Sequence, residues 1–203
     1  GTVYSLEEIR ELADHAHANG MLLHLDGARL ANAAVSLGVD VGDLGSKVGV
    51  DVLTFGGTKN GALGAEAVVV LNEDLVAAMP FIRKQSMQLA SKMRYVSAQF
   101  VALLTDDLWR RNAEHANAMA RRLAAGVEGV PGVSVTDTVA ANAVFAILPP
   151  EVTRTLQEEF TFYVWNPGTG QVRWMTSWAT TEEQVDEFVG RIREVATAHA
   201  AKA

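Results

Sequence analysis

An α/β fold is predicted by three features of this sequence. Short apolar runs in the first half stop at glycines, helical periodicities separate them, and two β-type runs flank a turn near the C-terminus. Ser5 reads as a helix N-cap with Glu8 completing a capping box. Leu6, Ile9, Leu12, Ala13 and Ala16 then recur at helical spacing up to Asn19-Gly20. The apolar run 21–25 stops at Asp26-Gly27 and predicts a buried parallel strand. A helix over about 28–37 closes at Gly38, a second buried strand over 50–55 ends at Gly56-Gly57, and 65–71 reads as a third parallel strand. From about Asp74 the pattern is helical, and 95–125 carries it with few breakers. Gly126, Gly129, Pro131 and Gly132 mark a turn region. Strands are predicted over 133–135 and 143–148, a short helix after Pro149-Pro150, and a hairpin of 160–165 and 171–178 about Asn166-Pro167-Gly168. Thr180-Thr181-Glu182-Glu183 opens a last helix.

Composition narrows the function classes. The 203 residues suffice for one large domain or two small ones, with 49% hydrophobic and 20% charged residues. A net charge of −7 opposes a nucleic-acid partner, which calls for a basic face. Zero cysteines exclude disulfides, thiolate metal sites and a cysteine nucleophile, and no histidine spacing suggests a metal centre. No apolar run approaches the ~20 residues of a membrane span, and no secretory signal is visible, so a cytoplasmic enzyme is the expectation. The chain opens at Gly1 without an initiator Met, directly into a helix start, and offers three strands whose edges would lack partners. It reads as a fragment.

Two strand-end residues carry chemistry. Asp26 ends the first strand, where α/β sheets bind ligands; its competing reading is an N-cap for the next helix. Lys59, in Thr54-Phe55-Gly56-Gly57-Thr58-Lys59-Asn60-Gly61, follows the second strand. On a loop away from bulk solvent it could attack a carbonyl, and otherwise it is a solvated loop lysine. No Gly-x-x-x-x-Gly-Lys-[Ser/Thr] phosphate loop is present. An acid and an amine one βαβ unit apart suit pyridoxal 5'-phosphate, the acid keeping the ring nitrogen protonated and the lysine holding the cofactor as a Schiff base. His24 alternates with Asp26 and is expected to pack in the core, whereas His15, His17, His115 and His199 are expected on helix surfaces.

The segments LHLDGARLANA, DVLTFGGTKNGALGAEAVV and RKQSMQLASKMRYVSAQF carry a resemblance. With them the chain resembles, over essentially its whole length, the threonine aldolases of the β-eliminating lyase branch, and more closely the bacterial low-specificity L-threonine group. The resemblance implies an aminotransferase-like α/β fold. Residues 1–95 would be the C-terminal part of a cofactor-binding large domain with a mostly parallel sheet. Residues 96–203 would form a long linking helix and a small α+β domain. It implies Lys59 as the cofactor lysine, Asp26 at the pyridine nitrogen, Arg29 at the cofactor and substrate carboxylate, and Arg173 at the substrate α-carboxylate. A planar guanidinium fork suits a carboxylate. Thr58 is implied near the cofactor phosphate. Lys84 and Arg94 match basic positions near the family's site, with a solvated basic helix face as their other reading.

The activity implied is cleavage of L-threonine or L-allo-threonine, a β-hydroxy-α-amino acid, to glycine and acetaldehyde. The same likeness implies a homo-oligomer with active sites at subunit interfaces. The family's stacking imidazole, general base and most of its phosphate loop correspond to positions before Gly1, so the chain by itself is expected to be inactive or crippled. Two other readings stand: another cofactor-dependent β-eliminating lyase of the tyrosine or tryptophan type, and a non-catalytic assembly domain.

Overall fold

The computed structural model describes residues 1–202 and divides the chain into two units, Tyr4–Asn112 and Gly1–Val3 with Ala113–Ala203. In the first, helix α1 (Leu6–Ala18) starts at the expected capping box: the Glu8 N–H donates to Ser5 Oγ and the Ser5 N–H to Glu8 Oε2. Ile9, Ala13 and Ala16 form its buried stripe. Strand β1 (His24–Gly27), helix α2 (Leu30–Leu37), strand β2 (Val52–Gly56) and strand β3 (Glu66–Val70) follow. Only part of the apolar run 21–25 becomes strand, and Met21 and Leu22 are exposed.

The sheet order is β1-β2-β3, with β1 parallel and β3 antiparallel to β2. The expected third parallel strand is thus corrected. A parallel partner needs a crossover of a dozen or more residues, and the link over 57–65 is too short for one. Hydrophobic periodicity carries no direction; the link length does.

Asp51, 6% exposed, ties together the end of the sheet where β1 and β2 begin. Its carboxylate accepts the Leu23 N–H (2.8 Å), an Asn72 Nδ2–H (2.7 Å) and a bond from His17 Nε2 on α1 (2.8 Å). Burial pushes its pKa up, but the bonds from His17, Leu23 and Asn72 outweigh this and hold the carboxyl below its usual value. His17 is exposed on α1, as expected, and is also a structural partner of Asp51.

Helices α3 (Glu73–Val76), α4 (Met79–Gln85) and α5 (Met93–Leu104) come next, and Phe100 of α5 lies 5.8 Å from Phe55 of β2, ring to ring. The helical stretch expected over 95–125 is broken at 105–107, where Asp106 and Asp107 take positive φ, a conformation that Asp tolerates better than most residues. Helix α6 (Leu108–Gly126) continues beyond the break.

The second unit holds strands β4 (Ser134–Val135), β5 (Ala143–Ile147), β6 (Tyr163–Asn166) and β7 (Gln171–Met175) in an antiparallel sheet of order β4-β5-β7-β6. The predicted hairpin is β6-β7. Strand alternation sends Val144, Ala146, Val172 and Trp174 to one face. That face packs with Met119, Leu123 and Val127 of α6 and the segment after it, Val152 and Leu156 of helix α7 (Pro150–Gln157), and Val185 and Ile192 of helix α8 (Glu182–Ala200). His115, read as a surface residue, instead bonds through Nε2 to the Thr180 carbonyl at 2.6 Å.

Candidate active site

Asp26 and Lys59 stand at the same end of two neighbouring parallel strands. Asp26 lies opposite Thr54 and Gly27 opposite Phe55 in the β1-β2 ladder, and Lys59 follows β2 within a 3-10 turn, Thr58–Asn60. Two glycines make the strand ends meet. A Cβ on Gly56 would sit 2.4 Å from the Ala28 carbonyl oxygen and 2.8 Å from its Cα. One on Gly27 would sit 2.1 Å from the Thr54 oxygen. Without side chains there, the main chain leaving β1 lies directly on the end of β2.

Asp26 is exposed, and its Oδ1 accepts the Ala28 N–H at 3.1 Å, which turns the chain off the strand. It does not cap α2, whose N-cap is Arg29 with no side-chain cap bond, so the capping alternative is set aside. Oδ2 has no hydrogen-bond or ion-pair partner among the described residues. Arg29, also exposed, closes this same turn.

Lys59 is exposed, contrary to the expectation of a desolvated lysine, because the turn faces Asn60 inward and Lys59 outward. No ion pair engages it among the described residues. Both neighbours are pinned. Asn60, 3% exposed, donates from Nδ2 to the Trp109 carbonyl (2.9 Å), and its own carbonyl accepts from Asn112 Nδ2 (2.8 Å). Thr58 donates its N–H to the Ala65 carbonyl (3.1 Å) and to Glu66 Oε1 (3.3 Å), and its Oγ1 accepts the Ala65 N–H (3.1 Å). Asn60 was passed over in the sequence, where Asn-Gly reads as a turn signal; burial of the amide is what gives it this role.

His24 is exposed rather than core-packed, on the same side of β1 as Asp26, with Nε2 3.1 Å from Thr54 Oγ1. Lys84 on α4 and Arg94 on α5 are both exposed, and the Arg94 guanidinium lies 4.8 Å over the Tyr95 ring. No hydrogen bond or ion pair joins either to Asp26 or Lys59 among the described residues. In the second unit, Arg173 of β7 has its guanidinium 4.4 Å from the Trp165 ring centre and 5.8 Å from that of Tyr163. Its Nε is buried without a hydrogen-bond partner among the described residues. Among the described residues no cluster of three or more His, Asp or Glu is placed to hold a metal ion, and no helix is long and apolar enough to cross a membrane.

A mixed sheet with an acid and an amine on adjoining parallel strand tips, followed by a separate four-stranded antiparallel sheet backed by helices, defines the aminotransferase-like α/β class. Among solved structures, the α-aminoadipate aminotransferase LysN from Thermus thermophilus, complexed with N-(5'-phosphopyridoxyl)-L-leucine, shares this fold with a TM-score of 0.68 at 18% identity, over 100% of this chain and 57% of that one. The threonine aldolase of Leishmania major matches with a TM-score of 0.88 and 32% identity, over 97% of this chain and 58% of that one. The low specificity L-threonine aldolase of Pseudomonas aeruginosa is 44% identical over 196 residues, 96% of this chain and 56% of the relative. The family described as Beta-eliminating lyase matches residues 1–149. The chain belongs to the beta-eliminating lyase family, and it spans a little over half the length of the curated relatives it matches most fully.

Proposed function

We propose that this chain carries the lysine-bearing part of a pyridoxal-phosphate-dependent carbon–carbon lyase that cleaves L-threonine and L-allo-threonine to glycine and acetaldehyde. The observation that carries the reading is the acid–amine pair: Asp26 and Lys59 occupy adjoining strand tips, exposed, and neither is spent in an ion pair. The donor set fits the cofactor. It offers an amine able to bond a carbonyl carbon, a carboxylate with one oxygen unspent and a nearby hydroxyl. When bound, pyridoxal phosphate supplies an electron sink for the pair released as the β-hydroxyl gives up its proton and the Cα–Cβ bond breaks.

In this reading Lys59 would hold the cofactor covalently, and the bonds of Thr58 and Asn60 fix the backbone turn from which its side chain extends. Asp26 would accept the cofactor's ring N–H with its carboxylate and so keep the ring nitrogen protonated. Thr58 contacts the phosphate with the capacity its Oγ1 retains beyond Ala65. Arg29 in the first unit and Arg173 in the second would each offer a guanidinium fork suited to the substrate carboxylate, and Lys84 and Arg94 would add positive charge that favours that carboxylate. The assignment of residues 1–95 to a cofactor domain and 96–203 to a linking helix and small domain belongs to the same reading. So do a cytoplasmic location and a homo-oligomer whose active sites lie between subunits.

Borohydride reduction of the cofactor-loaded protein followed by peptide mapping tests the central claim. The pyridoxyl label is expected on Lys59 and is expected to vanish in Lys59→Ala; label on another lysine would refute the assignment. Product analysis with L-threonine, L-allo-threonine and L-tryptophan separates an aldolase from a tryptophan-type lyase. Absence of any label or cofactor spectrum would favour a non-catalytic assembly domain.

A further inference from the structure

We propose that Trp165 is the positioning residue for Arg173: the indole holds the guanidinium so that its terminal nitrogens, rather than Nε, are presented to a ligand carboxylate. The proposal rests on the assignment of Arg173 to the substrate carboxylate made above.

The backbone accounts for this placement. Arg173 lies opposite Phe145 of β5 on one side and Tyr163 of β6 on the other, so Tyr163 is the neighbour a regular ladder would place against it. Yet the Trp165 ring is closer, 4.4 Å against 5.8 Å. The register explains the inversion. Val164 pairs with Val172 but Asn166 pairs with Gln171, which leaves Trp165 as the extra residue of a β-bulge. Bulges re-aim a side chain, and this one turns Trp165 back over Arg173. Phe145 then braces the indole in an edge-on contact, centroids 5.6 Å apart and planes at 72°.

The chemistry of the holder matters as much as its position. Arg110, Arg122, Arg154 and Arg191 are each paired with a carboxylate, which occupies one or more of their N–H donors, and Arg110 also lies over the Trp109 ring. Arg173 is held by ring faces, which attract the cation while leaving its in-plane donors unspent. Its Nε is enclosed without a partner among the described residues, so a carboxylate approaching the fork meets the two terminal nitrogens end-on. An acidic holder in place of Trp165 would compete with the ligand for those donors. The indole does not.

The test compares Trp165→Leu, which keeps apolar bulk but removes the π face, with Trp165→Phe, which retains a smaller face, and with Arg173→Gln. Glycine affinity of the cofactor-loaded protein is measured by calorimetry, with methylamine as the probe that lacks a carboxylate. In the cofactor-free protein, NMR reads the ring-current shift of the Arg173 side-chain protons. Trp165→Leu is expected to weaken glycine binding about threefold to tenfold, the range of a partly exposed cation–π contact. It should leave methylamine binding unchanged and abolish the upfield shift, with Trp165→Phe recovering part of both losses. Glycine affinity within about twofold of the unsubstituted protein in Trp165→Leu, alongside its loss in Arg173→Gln, overturns the positioning role and leaves the Arg173 assignment standing. Equal weakening for methylamine also overturns it, since a general structural defect would act on both probes. Unchanged glycine binding in Arg173→Gln overturns the assignment and this inference together.

Discussion

Replacing Gly56 with alanine is the sharpest mechanical test of how the two strand tips meet. The added Cβ would come within 2.4 Å of the Ala28 carbonyl oxygen and 2.8 Å of its Cα and carbonyl carbon, all of them main-chain atoms. A flexible side chain could swing away; main chain cannot, so residues 26–29 must lift off the end of β2. Overpacking against well-packed neighbours typically costs about 1–3 kcal/mol, and with only backbone to yield we expect the upper part of that range. Gly42→Ala is the matched control, because nothing lies within 4 Å of its Cβ and its φ is not positive. That change should be neutral or stabilising by about 0.4–1 kcal/mol through the unfolded chain. Urea unfolding of both variants gives the stability difference, and a pyridoxal phosphate titration of each reports whether the Asp26 and Lys59 segments still act together. Gly56→Ala within about 0.5 kcal/mol of the parent, with unaltered cofactor affinity, would refute the claim that this close approach positions the site.

Asp51→Asn should destabilise the first unit by about 1–3 kcal/mol, because the new amide group would bring a donor into a cluster that already supplies donors from Leu23 and Asn72. Since the folded-state pKa of Asp51 is depressed, its contribution is present above the unfolded value of about 3.9 and is lost as pH falls through the lower folded value. Acid titration of unfolding free energy below about pH 4 should therefore be shallower in Asp51→Asn, and an unchanged slope would count against the Asp51 network. Asn60→Ala removes the bond to the buried Trp109 carbonyl and should cost about 1–3 kcal/mol in urea unfolding. It should also weaken pyridoxal phosphate binding several-fold by loosening the Lys59 turn, and unaltered cofactor affinity would show that the clamp does not serve the lysine.

Much of the frame was legible because local signals and tertiary context agreed. The Ser5 capping box, the strand ending at Gly56 and the hairpin about Asn166-Pro167-Gly168 each rest on residues within a few positions of one another. What went unread depends on pairing across distance. The direction of β3 follows from the brevity of the 57–65 link, which periodicity ignores. The break at 105–107 depends on two aspartates with positive φ inside an otherwise helical pattern. In the candidate site, Asp26 and Lys59 could be picked out because each closes a strand run. The inward turn of Asn60 and the bulge at Trp165 could not, since each is fixed by partners tens of residues away or by ladder register.

The aspartates of β1 and of the residue preceding β2 show how one side-chain type is put to opposite uses at the two ends of a sheet. Asp51 is enclosed, and an enclosed carboxylate must be satisfied, so its oxygens collect Leu23, Asn72 and His17 and the strands are tied together there. Asp26 is exposed, so water can satisfy it, and among the described residues its carboxylate makes one internal bond, from the Ala28 N–H. That freedom is useful only if the carboxylate nonetheless stays put. Its position is fixed by other groups: the bare glycine contacts of Gly27 and Gly56 hold the main chain beneath it, and the Asn60 and Thr58 bonds hold the neighbouring lysine turn. Rigid backbone beneath unspent polar side chains is the arrangement a cofactor needs, because binding then orders few groups that were not already ordered.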